Sequence, residues 1–195
     1  MFASLDHQSR TSMQSTRLTL ICHGATRAQK RGHFALDEAL ETPPSPLRLA
    51  PRFKKAPRLL CGPETRARQT ATLFGEHATI DDGLRDMDVG HWRGRAINDI
   101  DRDELATWLT DSASAPHRGE SVVQLCERVS QWLQRVAEQP GHVLAVTHPA
   151  VVRAALLHVM QAPIAMFYLI DVEPLSSTEL RFNSVWRLRL ETHET

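Results

Sequence analysis

His23 stands at the end of an apolar run, Leu18-Thr19-Leu20-Ile21-Cys22, and is followed at once by Gly24. Far along the chain His148 ends a second such run, Val143-Leu144-Ala145-Val146-Thr147, and is followed by Pro149. Each run has the length and composition of a buried strand. Each break puts an imidazole at a strand's carboxyl end, the edge where open α/β sheets bind ligands. Two histidines delivered to one edge point to phosphoryl chemistry. A neutral imidazole is a nucleophile, and a protonated one donates to phosphate oxygens.

The elements that must position these groups follow from local pattern. Strands are predicted at Leu18–Cys22, Arg58–Cys61 and Val143–Thr147, with three more at Phe167–Val172, Thr178–Phe182 and Val185–Leu190. The basic stretch Arg27–Arg31 reads as a loop or short helical turn. Four prolines between Glu41 and Pro51 limit any helix there to a short or broken one. Helices are predicted from about Arg66 to Phe74, with Ala67, Ala71 and Phe74 on one face, and from about Ile97 to Leu109, with Ile97, Ile100, Leu105 and Trp108 inward. Residues 82–95 read as a glycine-punctuated surface loop of the length that usually serves function. Ser121 with Gln124 forms a capping-box pattern, after which Val122, Leu125, Val129, Trp132, Leu133 and Val136 keep helical spacing. Pro149, suited to a first turn, opens a helix to about Met160. Strands alternating with helices predict an α/β fold in three layers, a mainly parallel central sheet flanked by helices.

The chain of 195 residues suits one domain over 17–195, preceded by a flexible polar leader over 1–16. The leader lacks the apolar core of a secretory signal. Lys plus Arg and Asp plus Glu both number 23, so no net charge directs the chain to nucleic acid or a membrane. No apolar run approaches the roughly 20 residues of a membrane span. Three cysteines (Cys22, Cys61, Cys126) without a Cys-x-x-Cys pair fit a reducing, cytoplasmic setting and no structural zinc. Cys22 and His23 are adjacent on a strand and point to opposite faces, which argues against a shared metal. Oligomeric state is not encoded in any pattern here.

Five segments in order carry a resemblance. They are Cys22-His23-Gly24-Ala25-Thr26, Gly62-Pro63-Glu64-Thr65-Arg66-Ala67-Arg68-Gln69-Thr70-Ala71, residues 84–94, Gly119-Glu120-Ser121 and Val146-Thr147-His148. They resemble the histidine phosphatase superfamily, the phosphoglycerate mutase-like proteins. That family shows Arg-His-Gly-x-Thr, Ser-Pro-x-x-Arg-Ala-x-Gln-Thr-Ala, Leu-x-Glu-x-x-x-Gly-x-Trp-x-Gly, Gly-Glu-Ser and a strand ending in His. The resemblance implies a metal-independent phosphomonoester hydrolase without cofactor, acting on a small phosphorylated metabolite. It implies His23 as the nucleophile that becomes phosphohistidine, Arg66 as a planar cationic fork on phosphate oxygens, and His148 as a second phosphate ligand. It further implies Asp86 as proton donor, Gly24 as the position cleared for the phosphate, Gln29 as an amide contact, and Glu120 and Ser121 as part of the crevice.

Two positions depart from the family. Its first arginine is Cys22 here, and losing such a donor costs about 10²–10³ in rate. Its acidic glutamate is Asp86, one methylene shorter, and a shift of about 1 Å can cost on the order of 10²-fold. Basic residues near the site, Arg27, Lys30, Arg31 and the pair His117-Arg118, are candidates to supply the missing charge, Arg31 and Arg118 foremost. The alternative reading is a pseudo-phosphatase that binds a phosphorylated ligand or protein without turnover. A phosphoglycerate-type mutase is the third, less favoured because the chain is short and lacks that branch's insertions.

Overall fold

The structure is a computed structural model that describes residues 15–42 and 56–190. The expected proline-broken stretch and nearly all of the expected leader lie outside the described residues. One boundary moves: β1 runs Thr16–Cys22, so the leader's last expected residue is buried in the sheet.

Among the described residues six strands form one sheet in the order β3-β2-β4-β1-β5-β6. They are β1, β2 (Arg58–Cys61), β3 (Thr79–Ile80), β4 (Gly141–Thr147), β5 (Ser177–Asn183) and β6 (Val185–Arg189). The first four in that order are parallel, and the β5–β6 hairpin adds antiparallel to β1. Between them lie α1 (Arg27–Arg31), α2 (Thr65–Ala71), α3 (Arg102–Thr110), α4 (Val122–Ala137) and α5 (Pro149–Met160).

Strand alternation sorts the core into two layers. Leu18, Leu20, Val143 and Ala145 face α4 and α5, packing with Leu125, Val129, Trp132, Val151 and Val152. Ile21, Cys61, Leu144 and Val146 face α2 through Ala67 and Ala71. The mainly parallel three-layer expectation therefore stands. All six expected inward residues of α4 are buried, and the Ser121–Gln124 capping box is formed in both directions.

Three expectations are corrected. Residues 97–109 are not one helix: a 3-10 turn at Ile97–Asp99 precedes α3, whose N-cap Asp101 accepts from the amides of Asp103 and Glu104. Ile97 is exposed, while Ile100 is buried. The apolar run 167–172 is not a strand. It continues a 3-10 turn, Ile164–Leu169, whose Phe167 is buried in the core layer against α5. Residues 82–95 are an irregular segment with 3-10 turns at Asp82–Leu84 and Gly90–Trp92, but not a purely superficial one: Leu84, Met87 and Trp92 are buried, and Arg128 of α4 donates to the carbonyls of Gly83 and Arg85.

Candidate active site

Register explains why the two histidines meet. Cys22 pairs with Thr147 across β1 and β4, so the next residue of each strand is His23 and His148. The His23 amide donates to the Thr147 carbonyl at 2.9 Å, and the two rings sit edge to face with centroids 5.0 Å apart. Cys61 of β2 pairs with Val146, which brings residues 62–64 beside His148. α2 then delivers Arg66 to the same place. All of this lies at the carboxyl edge of the parallel strands, above a cleft of about 540 Å³ lined by His23, Gln29, Arg66, Asp86, Ala150 and Arg153 among others.

His23 is almost wholly buried, and its Nδ1 lies 2.7 Å from the Gly24 carbonyl. A carbonyl only accepts, so Nδ1 carries the proton and Nε2 keeps its lone pair. Burial first, then the charge of His148, lowers the imidazole from 6.5 to about 4. His23 is thus neutral at ordinary pH and nucleophilic at Nε2.

His148 is held from the other side. Its Nε2 is 2.7 Å from Glu64 Oε2, and its Nδ1 is buried without a hydrogen bond among the described residues, 3.4 Å from Asp86 Oδ2. Glu64 is the N-cap of α2 yet makes no side-chain cap bond. Its other oxygen instead accepts from the Asp86 amide at 2.9 Å. One carboxylate therefore orients both His148 and the segment that carries Asp86. The close approach needs Gly62: a Cβ there would lie 2.8 Å from the Leu84 carbonyl, 2.9 Å from Glu64 Oε2 and 3.0 Å from His148 Nε2.

Arg66 is buried, donates Nη1 to the Leu36 carbonyl at 3.0 Å and pairs through Nη2 with Asp86 Oδ2 at 2.6 Å. Burial pushes the Asp86 carboxyl up, but the charges of His148, Arg66 and His23 outweigh it and bring it from 3.8 down to about 2. In the free site Asp86 is ionised and its carboxylate sits where Arg66 and His148 converge.

The remaining expected residues distribute as follows. Gln29 lines the cleft and also completes the α1 capping box, its Oε1 accepting from the Thr26 amide. Gly24 does not face the cleft. A Cβ there would meet Leu40 at 3.1 Å and Leu175 at 3.6 Å, so what its lack of a side chain leaves room for is Leu40. Glu120 and Ser121 do not line the cleft: Glu120 is tied to Arg128 and Arg85, and Ser121 caps α4. Arg31 is exposed at the end of α1, and Arg118 lines shallow depressions elsewhere. The Cys22 thiol is buried and pushed up to about 12, chiefly by burial, so it is neutral. Cys22 and Cys61 are free and belong to opposite faces of the sheet. Among the described residues no group of three His, Cys, Asp or Glu side chains is arranged to hold a metal ion.

Sequence reasoning did not single out Gly62, Glu64, Arg128 or Arg153. The first two sit inside a quoted motif at positions the family pattern leaves open or fills with serine, and only their neighbours in space reveal them.

The profile of the histidine phosphatase superfamily (branch 1) matches residues 18–190. The chain belongs to that family. As a member it is a phosphoric monoester hydrolase by class. It is 27% identical over 176 residues to glucosyl-3-phosphoglycerate phosphatase of Mycobacterium tuberculosis, covering 78% of this chain and 79% of that protein. The solved native structure of mycobacterial glucosyl-3-phosphoglycerate phosphatase superimposes with a TM-score of 0.73 at 26% identity, over 90% of this chain and 97% of that one. A phosphoserine phosphatase of Entamoeba histolytica, solved with 3-phosphoglyceric acid, gives 0.78 at 20% identity, over 91% and 98%, a likeness of fold alone.

Proposed function

We propose that the protein hydrolyses a small phosphorylated metabolite through a phosphohistidine at His23. The observation that carries this reading is the buried, neutral His23, anchored through Nδ1 and sharing one cleft with Arg66 and close to His148. A cleft of about 540 Å³ suits a substrate of metabolite size.

The incoming phosphate dianion takes over Arg66 and His148 Nδ1 from the Asp86 carboxylate. Asp86 then loses its cation and gains an anionic neighbour, both of which favour its protonated form. In the first step His23 Nε2 forms a bond to phosphorus while the ester P–O bond breaks, and the Asp86 proton passes to the leaving oxygen. Arg66, His148 and the positive end of α5 at Ala150 hold the spreading negative charge. In the second step the Asp86 carboxylate takes a proton from water, the water oxygen attacks phosphorus, and the N–P bond breaks to release phosphate and free His23.

The test is a panel of phosphate monoesters with acid-labile phosphoprotein trapping. Turnover with a trapped phosphohistidine, both abolished in His23→Ala, is expected. Cys22, which brings no positive charge, favours the binding-only reading. Orthovanadate binding by wild type with no turnover on any ester would decide for that alternative.

A further inference from the structure

Cys22 leaves the end of β1 without a guanidinium, and five other arginines are weighed as its substitute. Arg31 is exposed outside the cleft and Arg118 lies elsewhere. Arg85 and Arg93 reach the cleft but are engaged, Arg85 with Glu120 at 3.3 Å and Arg93 with Asp88 at 3.0 Å. Arg153 differs. It lines the cleft from the second turn of α5, on the side of Pro149 and Ala150, and has no carboxylate partner among the described residues. Its Nε donates to the Ile170 carbonyl at 2.7 Å, and its guanidinium lies 5.7 Å from the centre of the Phe167 ring. These two contacts hold the stem and aim the fork while leaving the Nη groups for a ligand.

We propose that Arg153 is the second phosphoryl-binding guanidinium of this site, supplied by α5 in place of the one β1 lacks. The inference rests on the phosphatase reading of the cleft. By alternation Cys22 shares the face of Leu18 and Leu20, which α5 covers, so a thiol at 22 and a guanidinium at 153 compete for one region. The charge of Arg153 is felt by the Cys22 thiol, where it opposes the effect of burial. The two residues form a swap: a small neutral side chain on the strand leaves room for a long cationic one from the helix.

The test is calorimetric titration of the full chain with orthovanadate and inorganic phosphate, alongside melting temperatures. Arg153→Met, which keeps an apolar stem over Phe167, is expected to weaken both anions about 10²-fold with melting retained. Adding Cys22→Arg to that variant is expected to recover most of the loss, whereas Cys22→Arg alone gains less, because wild type already has its second fork. Wild-type affinity in Arg153→Met, or no recovery in the double variant, overturns the proposal. Should Arg153→Met fail to fold, Arg153→Lys carries the test: the charge remains without the fork, about tenfold weakening is expected, and unchanged affinity overturns the inference. Because the readout is anion binding, it stands apart from turnover. Loss of the phosphohistidine reading shows in His23→Ala, and loss of this one shows in Arg153→Met.

Discussion

Burial and the charge of His148 draw His23 from 6.5 to about 4, so its lone pair is free across neutral pH. The unfolded chain keeps the ordinary value and binds the extra proton first as pH falls. The stability contributed by neutral His23 is therefore whole above pH 6.5, declines on acidification and levels off below about 4. The total is about 3 kcal/mol at 1.36 kcal/mol per unit. Urea midpoints measured across that range are expected to fall for wild type and to fall less for His23→Asn. Asp86 acts lower: its contribution is present above 3.8 and disappears as pH falls through about 2. In turnover, Asp86→Asn is expected to lose about 10²–10⁴ on alkyl phosphates and much less on nitrophenyl phosphate, whose leaving group needs no proton; equal losses on both would remove Asp86 from the acid role. Two glycines separate packing from chemistry. Gly62→Ala drives a Cβ to 2.8 Å from the Leu84 carbonyl and into the Glu64–His148 pair, and is expected to cut kcat/KM about 10²-fold. The three atoms nearest to a Cβ at position 24 are flexible ends of Leu40 and Leu175, so Gly24→Ala is expected to be far milder, a comparison that steady-state kinetics on both variants decides.

Elements were legible where their signals are local. α4 needed no tertiary knowledge, since a capping box and six apolar residues at helical spacing specify both its start and its buried face. Ser121→Ala removes the bond to the Gln124 amide and is expected to cost about 1 kcal/mol in denaturant unfolding. The errors arose where two local signals competed. Asp101, with Asp103 and Glu104 after it, is an N-cap signature inside residues read as one continuous helix, and the chain obeys the cap. The aromatic and β-branched run from Phe167 fits a strand or a buried turn equally in sequence. It became a turn that buries Phe167 against α5, a packing choice that no period within the run specifies. β3 has two residues, too few for any periodicity to show.

At the scale of the molecule, β1 and β4 occupy the middle of the sheet while β3 and β6 are its edges. Hydrogen exchange is expected to be slowest for amides of Leu18, Leu20, Val143 and Ala145, which sit between two pairing neighbours in the core, and faster by orders of magnitude in β6. Uniform protection across all six strands would contradict that order. The same central pair positions the chemistry, because strands in parallel register end together. Sequence alone determined that two strands end in histidine, that an arginine opens a helix after a third, and that the whole resembles one phosphatase family. Those features are written in runs, periods and spacings of a few residues. The tertiary structure decided the partnerships: Glu64 with His148 across 84 positions, Asp86 with Arg66 across 20, Arg153 without a carboxylate partner among the described residues, and Gly24 turned toward Leu40. No local pattern carries such pairings, since they depend on which chain ends a register aligns and which space the packed layers leave open.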